Sequence, residues 1–214
     1  MKESATEKLA CNLGRRDEVP NIELAEYLVK NNDKTGIKEI VDGLKEKSLA
    51  SDCIKVLYEI GERDLKLIAS YTDDFVSCLK SKNNRLVWGG MTALAKIAEC
   101  EPKSVFDNLP EIISAYKGGS VITIDNSISV FAGLAKAGKK YSEKVLPLLI
   151  DHLKHCRPKE VAQHAERASI CFDASNAKDF INVLEKREQD LTPPQQKRVK
   201  KLLQKLHSIP LVSQ

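Results

Sequence analysis

The hydrophobic positions of this chain repeat. The segments Val56-Leu57-Tyr58-Glu59-Ile60, Ala93-Leu94-Ala95-Lys96-Ile97 and Val130-Phe131-Ala132-Gly133-Leu134 begin 37 residues apart with no gap, and Arg167-Ala168-Ser169-Ile170-Cys171 continues the series as a weaker match. Each copy sits in an apolar i, i+3, i+4 pattern, the mark of one buried helix face. A second series follows the first: Ile40-Val41, Phe75-Val76, Ile112-Ile113 and Leu149-Ile150, then Leu44, Leu79, Tyr116 and Leu153. Its first step is 35 residues and the later ones are 37. The pattern therefore predicts two helices per unit, the second laying one apolar stripe on the first and on its neighbours.

Local signals punctuate these helices. Leu109-Pro110 and Leu146-Pro147, again 37 residues apart, predict a proline in the first turn of the second helix. Gly118-Gly119 and Gly138 predict helix stops. Thr192-Pro193-Pro194-Gln195 offers an N-cap, an early proline and a capping-box glutamine ahead of a last helix. The β-branched run Val121-Ile122-Thr123-Ile124 is the one competitor for a strand. The repeat phase places it at the entry to a first helix, so it reads as helix or loop.

Composition agrees with an all-α chain: of 214 residues, 30% are charged and 5% aromatic, with few glycines and prolines. A net charge of +4 is too small to mark an obligate nucleic-acid binder. The cysteines, at positions 11, 53, 78, 100, 156 and 171, form no CxxC pair. That spacing argues against a zinc ribbon or a thioredoxin motif and favours small buried hydrophobes. The N-terminal MKESATEKLACNL has no apolar core, and no stretch approaches the roughly 18 apolar residues of a membrane span. A reducing cytoplasm is the expected location.

Helix pairs with a leucine-rich first helix and an L-P-x-[IL]-[IL] opening to the second resemble HEAT or armadillo-type repeats, over residues 20 to about 188. The period is shorter than that of typical HEAT units and longer than that of tetratricopeptide ones. The column that often carries arginine in HEAT units reads Ser51, Trp88, Asp125 and Ala162. The resemblance implies a right-handed α-α superhelix of about five helix pairs, forming a single domain over residues 1–214. Residues 1–19 would be an N-terminal capping helix, 20–188 the repeats, and 192–207 a C-terminal capping helix. Stacked pairs would share one continuous core, with the second helices lining a concave wall. The function it implies is a non-catalytic scaffold for a protein or peptide partner, monomeric or weakly associating and without a cofactor.

The candidate partner-binding residues form two columns on the second helices. Lys45, Lys80, Lys117 and Lys154 occupy equivalent positions, and three residues before each stand Asp42, Ser77, Ser114 and Asp151. The i, i+3 spacing puts both on one polar stripe, able to engage an acidic peptide or phosphate. The plainer reading is that helix-end lysines complement the macrodipole and keep the surface wet. In the fifth unit the column reads Glu185, with Lys186 beside it.

Other constellations are weaker. Gly133 to Lys140 approaches a phosphate-binding loop but ends in Lys140 where a hydroxyl is needed, and it lacks a preceding strand. His152, His155 and Cys156, with His164 nearby, have ligand-like spacing but no HExxH glutamate. His152 shares a column with Gly43, Cys78 and Ala115 that reads as partly buried, so packed or surface histidines are expected and no metal. Trp88 reads as packing between units, with Gly89-Gly90 giving its ring room. Lys197, Arg198, Lys200, Lys201 and Lys205 alternate with Val199, Leu202, Leu203 and Leu206 as an amphipathic basic cap. No Ser-His-Asp, Cys-His or paired-carboxylate arrangement can be assembled, and an enzyme is not expected. The alternatives are a nucleic-acid-binding or base-repair protein of HEAT-like type, or a lyase or chaperone-like helper for a chromophore. The single tryptophan and modest charge fit the former poorly, and no residue specifies the latter.

Overall fold

The computed structural model describes residues 4–207, and among them there is no strand. Twelve α-helices follow one another: α1 (Val19–Lys30), α2 (Lys34–Asp42), α3 (Ala50–Arg63), α4 (Thr72–Leu79), α5 (Asn84–Ile97), α6 (Pro102–Asp107), α7 (Leu109–Gly118), α8 (Val121–Ala137), α9 (Lys139–His155), α10 (Pro158–Ala168), α11 (Lys178–Arg187) and α12 (Pro193–His207). Five first-and-second pairs emerge: α1/α2, α3/α4, α5/α7 with the short α6 between, α8/α9 and α10/α11. Three successive first helices, α5, α8 and α10, start 37 residues apart. The columns Val56, Ala93, Val130 and Leu57, Leu94, Phe131, Ala168 are buried, as are Ile60, Ile97, Leu134 and Cys171. Val121-Ile122-Thr123-Ile124 is helix: the Ser120 hydroxyl accepts the Thr123 amide at 3.4 Å, and Thr123 is buried. A cap and tertiary burial together override β-propensity.

The chain forms two compact units, Met1–Ser127 and Ile128–Gln214, with the division inside α8. In the first, α3 packs between α1 and α5, and α4 packs on α5 and α7. Its core holds Leu24, Leu28, Ile37, Ile54, Ile60, Phe75, Met91 and Leu94. The described part of the expected N-terminal capping helix is a 3-10 turn, Ala5–Lys8, followed by turns. Side-chain oxygens hold it in place of an intrahelical ladder. Glu39 accepts the Ala5 amide at 2.8 Å, Asn21 the Ala10 amide at 3.0 Å, and Asp52 the Cys11 amide at 2.9 Å. Each satisfies a backbone donor that a helix would otherwise have to pair.

In the second unit α9 packs with α10 and α11, and α10 with α12, over Val145, Leu149, Leu153, Phe180, Leu184 and Val199. Phe172 stacks on Phe180 at 4.1 Å. One half of the capping box forms: the Thr192 amide and hydroxyl both donate to Gln195 Oε1 at 2.9 Å. The proline reading needs one correction. Pro110 does open α7, but α9 already begins at Lys139, so Pro147 lies inside it. Gly138, with φ 155° and ψ 162°, sits between α8 and α9 in backbone space that favours glycine.

A second column, absent from the sequence reading, ties first helices together. Lys55, Thr92, Ser129 and Glu166 are 37 residues apart, and each meets a side chain from the adjoining first helix or cap. Lys55 pairs with Glu18 at 2.9 Å. Thr92 accepts from Asn126 at 2.9 Å, Ser129 from Arg167 at 2.9 Å, and Glu166 from Arg198 at 2.8 Å. Lys55 is buried and also pairs with Glu59 at 2.8 Å. Burial works against its ammonium, but the Glu59 and Glu18 carboxylates outweigh it and hold Lys55 above the ordinary lysine value.

Candidate functional site

The lysine column occupies the C-terminal ends of the second helices. Lys45 ends the 3-10 turn that follows α2, Lys80 is the C-cap of α4, and Lys117 and Lys154 lie in the last turns of α7 and α9. All four are exposed, as are Asp42, Ser77, Ser114 and Asp151. Their placement follows from the helix: the last carbonyls point along the axis, and a cation there is favoured by the macrodipole.

The partner column is partly spent locally. Asp42 is engaged by Lys38, whose ammonium holds that carboxyl below its usual range. Ser77 donates back to the Asp73 carbonyl at 2.8 Å, and Asp151 lies 3.3 Å from His155. Lys80 reaches Glu111 of α7 at 3.7 Å and remains 66% exposed. Among the described residues Lys45, Lys117 and Lys154 have no ion-pair partner, so each of these helix ends presents an uncompensated cation.

Each unit places an apolar-floored groove beside one of these lysines. In the first, Leu79, Val87, Ala115 and the backbone of Gly118-Gly119 floor a cleft of about 400 Å³, with Lys80, Lys82, Glu111 and Ser114 on its rim. In the second, Ile150 and Val183 floor a cleft of about 420 Å³ rimmed by Lys154, Lys186, Arg187, Asp179 and Asn182. Leu146, Pro147, Phe172 and Ile150 line an adjoining one of about 500 Å³ on the other side of Lys154. Lys80 and Ser114 are thus brought to one groove, and Lys154 joins Lys186, the cation beside the Glu185 interruption.

Arg187 was missed by the sequence reading. Its guanidinium donates to the carbonyls of Leu153 at 2.7 Å, Lys154 at 2.8 Å and Cys156 at 2.9 Å, and to Asp190 at 2.7 Å. It caps α9 from α11 and fixes the end that carries Lys154. Nothing in the 37-residue pattern marks it, because its partners are backbone atoms.

The histidines divide. His155 is exposed, donating to the Asp151 carbonyl at 2.9 Å. His152 and His164 are buried and share a hydrogen bond of 2.8 Å between Nε2 and Nδ1. Cys156 joins them, the three ligand atoms lying within 4.8 Å of one another. Burial pushes the Cys156 thiol up, while Arg187 draws it back and Glu160 pushes it again.

Other sequence features resolve plainly. Gly133–Lys140 spans the end of α8 and the start of α9 and has no preceding strand, so it is no phosphate loop. Trp88 packs on Tyr58 at 5.8 Å. Its glycine neighbours serve a different end from the one expected: a Cβ at Gly89 would meet Ile54 at 2.7 Å, and one at Gly90 the Phe75 carbonyl oxygen at 2.7 Å. They let α5 approach α3 and α4. On α12, Val199, Leu202, Leu203 and Leu206 are buried while Lys197, Arg198, Lys200 and Lys201 are exposed, an amphipathic helix with a basic outer face. No helix among the described residues is long and apolar enough to cross a membrane.

Comparison with solved structures places the fold. A designed armadillo repeat protein in complex with the peptide (KR)4 matches with a TM-score of 0.66 at 14% identity, over 85% of each chain. Computationally designed armadillo repeat proteins for modular peptide recognition match at 0.63 and 14%, again over 85% of each chain. An engineered protein from a structural genomics consortium matches at 0.66 and 17%, covering 96% of this chain and 98% of its own. The likeness is one of fold: the described residues form an all-α chain of successive helix pairs, similar to armadillo-type repeat structures. No family model and no curated protein matches the sequence.

Proposed function

We propose that this helical-repeat chain is a non-catalytic scaffold that binds acidic peptide segments at the lysine-bearing ends of the second helices within each unit. The observation that supports this best is the pairing, within each unit, of an exposed lysine with a groove floored by apolar side chains: Lys80 beside Leu79 and Val87, and Lys154 beside Ile150 and Val183. An extended peptide that alternates carboxylate and apolar residues fits both features. The apolar residues supply burial, and the carboxylates meet the ammonium rim.

Magnitudes decide the division of labour. An exposed lysine-carboxylate contact contributes at most about 1 kcal/mol and weakens with salt, so the lysines steer and select while the groove floors hold. The designed fold neighbour in complex with (KR)4 takes a basic peptide; with lysines on the rim, this chain takes the opposite sign. Packed helices pre-order the rim, which reduces the ordering cost of binding.

The test is fluorescence anisotropy with labelled peptides of equal length, one alternating Glu and Leu, one Gln and Leu, one Lys and Leu. The acidic peptide should bind best, with affinity falling as salt rises. Replacing Lys80, Lys117 and Lys154 together by Glu should weaken it by about tenfold to a hundredfold while the helical circular dichroism is unchanged. Equal binding of the three peptides, or a triple variant that binds as before, overturns the reading. Single-stranded DNA that competes as effectively as the acidic peptide would transfer the surface to nucleic acid.

A further inference from the structure

The most concentrated chemistry outside these grooves lies where α9 passes into α10. His152 and Cys156 stand one turn apart at the end of α9, and His164 meets them from α10. Their three ligand atoms fall within 4.8 Å of one another; both imidazoles are buried, and the partly exposed Cys156 opens the cluster to solvent.

The repeat shows that this arrangement is a departure. Positions equivalent to His152 and His164 in earlier units carry Gly43 and Cys53, Cys78 and Gly90, and Ala115 and Ser127. The first two pairs touch closely enough that a Cβ on Gly43 would lie 2.6 Å from the Cys53 sulfur, and one on Gly90 2.8 Å from the Cys78 Cβ. The site is a close approach of a second helix to the next first helix, filled elsewhere by small residues. Here two imidazoles occupy it and aim ring nitrogens at each other.

We propose that His152, Cys156 and His164 form a binding site for a single divalent transition-metal ion of the zinc class, joining α9 to α10. Two imidazole nitrogens and one sulfur are the donors a borderline-soft ion takes, whereas calcium and magnesium require oxygen. The geometry needs only small adjustments. With zinc–nitrogen bonds of about 2.0–2.1 Å in a tetrahedral arrangement, the nitrogens stand about 3.3 Å apart, so the pair opens modestly from its 2.8 Å hydrogen bond. The sulfur moves inward. Cys156 lies just beyond the last residue of α9 with an extended backbone, where a side-chain rotation suffices. Glu160, one turn before His164 on α10 and largely buried at its side chain, is already paired with Arg157, so the ligands themselves must supply the charge that the ion needs.

Binding balances simply. The Cys156 S–H bond breaks, its proton passes to solvent, and the sulfur pair donates to the metal. The proton held between the imidazoles moves to the far nitrogen of its own ring, freeing His152 Nε2 and His164 Nδ1. No oxidation state changes.

The experiment uses the tag-free full chain, reduced, stripped of metal and titrated with cobalt(II). One equivalent should bind with a thiolate-to-cobalt charge-transfer band and tetrahedral visible bands, and zinc(II) should displace it. Cys156→Ser, at a partly exposed position that leaves the helical fold intact by circular dichroism, should lose the charge-transfer band. Its zinc affinity should fall by about tenfold or more in competition with a chromophoric chelator. His155→Ala, one turn away on the exposed face, should bind as the parent does. Absence of the charge-transfer band in the parent, undiminished zinc binding by the serine variant, or loss of binding in His155→Ala each overturns the proposal.

Discussion

At the scale of single residues, the paired glycines of α5 show how far a pattern reaches. A 37-residue period assigns Gly89 and Gly90 to the start of a first helix, but it cannot say which neighbour stands close, because a period fixes the face and not the distance. The structure supplies both neighbours. A methyl at Gly89 meets Cγ1 and Cγ2 of Ile54, a buried side chain stiff at its branch point, and one at Gly90 meets the Phe75 carbonyl oxygen, part of α4's backbone. Alanine in a helix interior gains about 1 kcal/mol over glycine, and overpacking a tight contact costs about 1–3 kcal/mol. Gly89→Ala and Gly90→Ala should therefore each lose up to about 2 kcal/mol in urea unfolding. A gain in stability at either position would show that the close contact is not what excludes the side chain.

Elements were the most legible level, and their failures are instructive. The first helices, their buried columns and the Thr192-Gln195 half of the capping box follow from spacing and composition, since periodicity records burial directly. The polar ladder of Lys55, Thr92, Ser129 and Glu166 did not. The column that carries arginine in HEAT units falls at Ser51, Trp88, Asp125 and Ala162, one helical turn earlier on the same face, and the ladder's chemistry changes at every rung even though its position does not. The proline column shows the converse, one sequence signal with two outcomes. Pro110 opens α7, whereas Pro147 is carried inside α9, where it can donate no backbone hydrogen bond and crowds the preceding turn. Pro147→Ala should stabilise the chain, by up to about 3 kcal/mol, seen as a higher urea midpoint with an unchanged slope. A destabilised variant would mean that α9 depends on its proline, whose exposed ring lines the groove beside Lys154.

For the molecule as a whole, the candidate surface was half legible. The lysine column is a sequence period, but the groove floors beside Lys80 and Lys154 form only when successive helices pack, and His164 reaches His152 only because the chain turns at Arg157 and Pro158. Stability against pH is a property of the same scale, because its contributors are spread over both units. Burial raises the thiols of Cys53, Cys78 and Cys171 to about 12 from an ordinary 9.0. A neutral thiol is thus retained in the folded chain at a pH where the unfolded chain already ionises. The stability each thiol contributes is fully present below pH 9 and is lost as pH rises toward 12, with a slope of up to about 1.4 kcal/mol per pH unit per group. Replacing the three cysteines together by alanine costs some packing at every pH, but it should flatten the alkaline limb, so that parent and variant converge between pH 9 and 12. Urea midpoints measured across that window decide the matter: parallel limbs would place the alkaline loss on other groups, Lys55 and its carboxylates foremost.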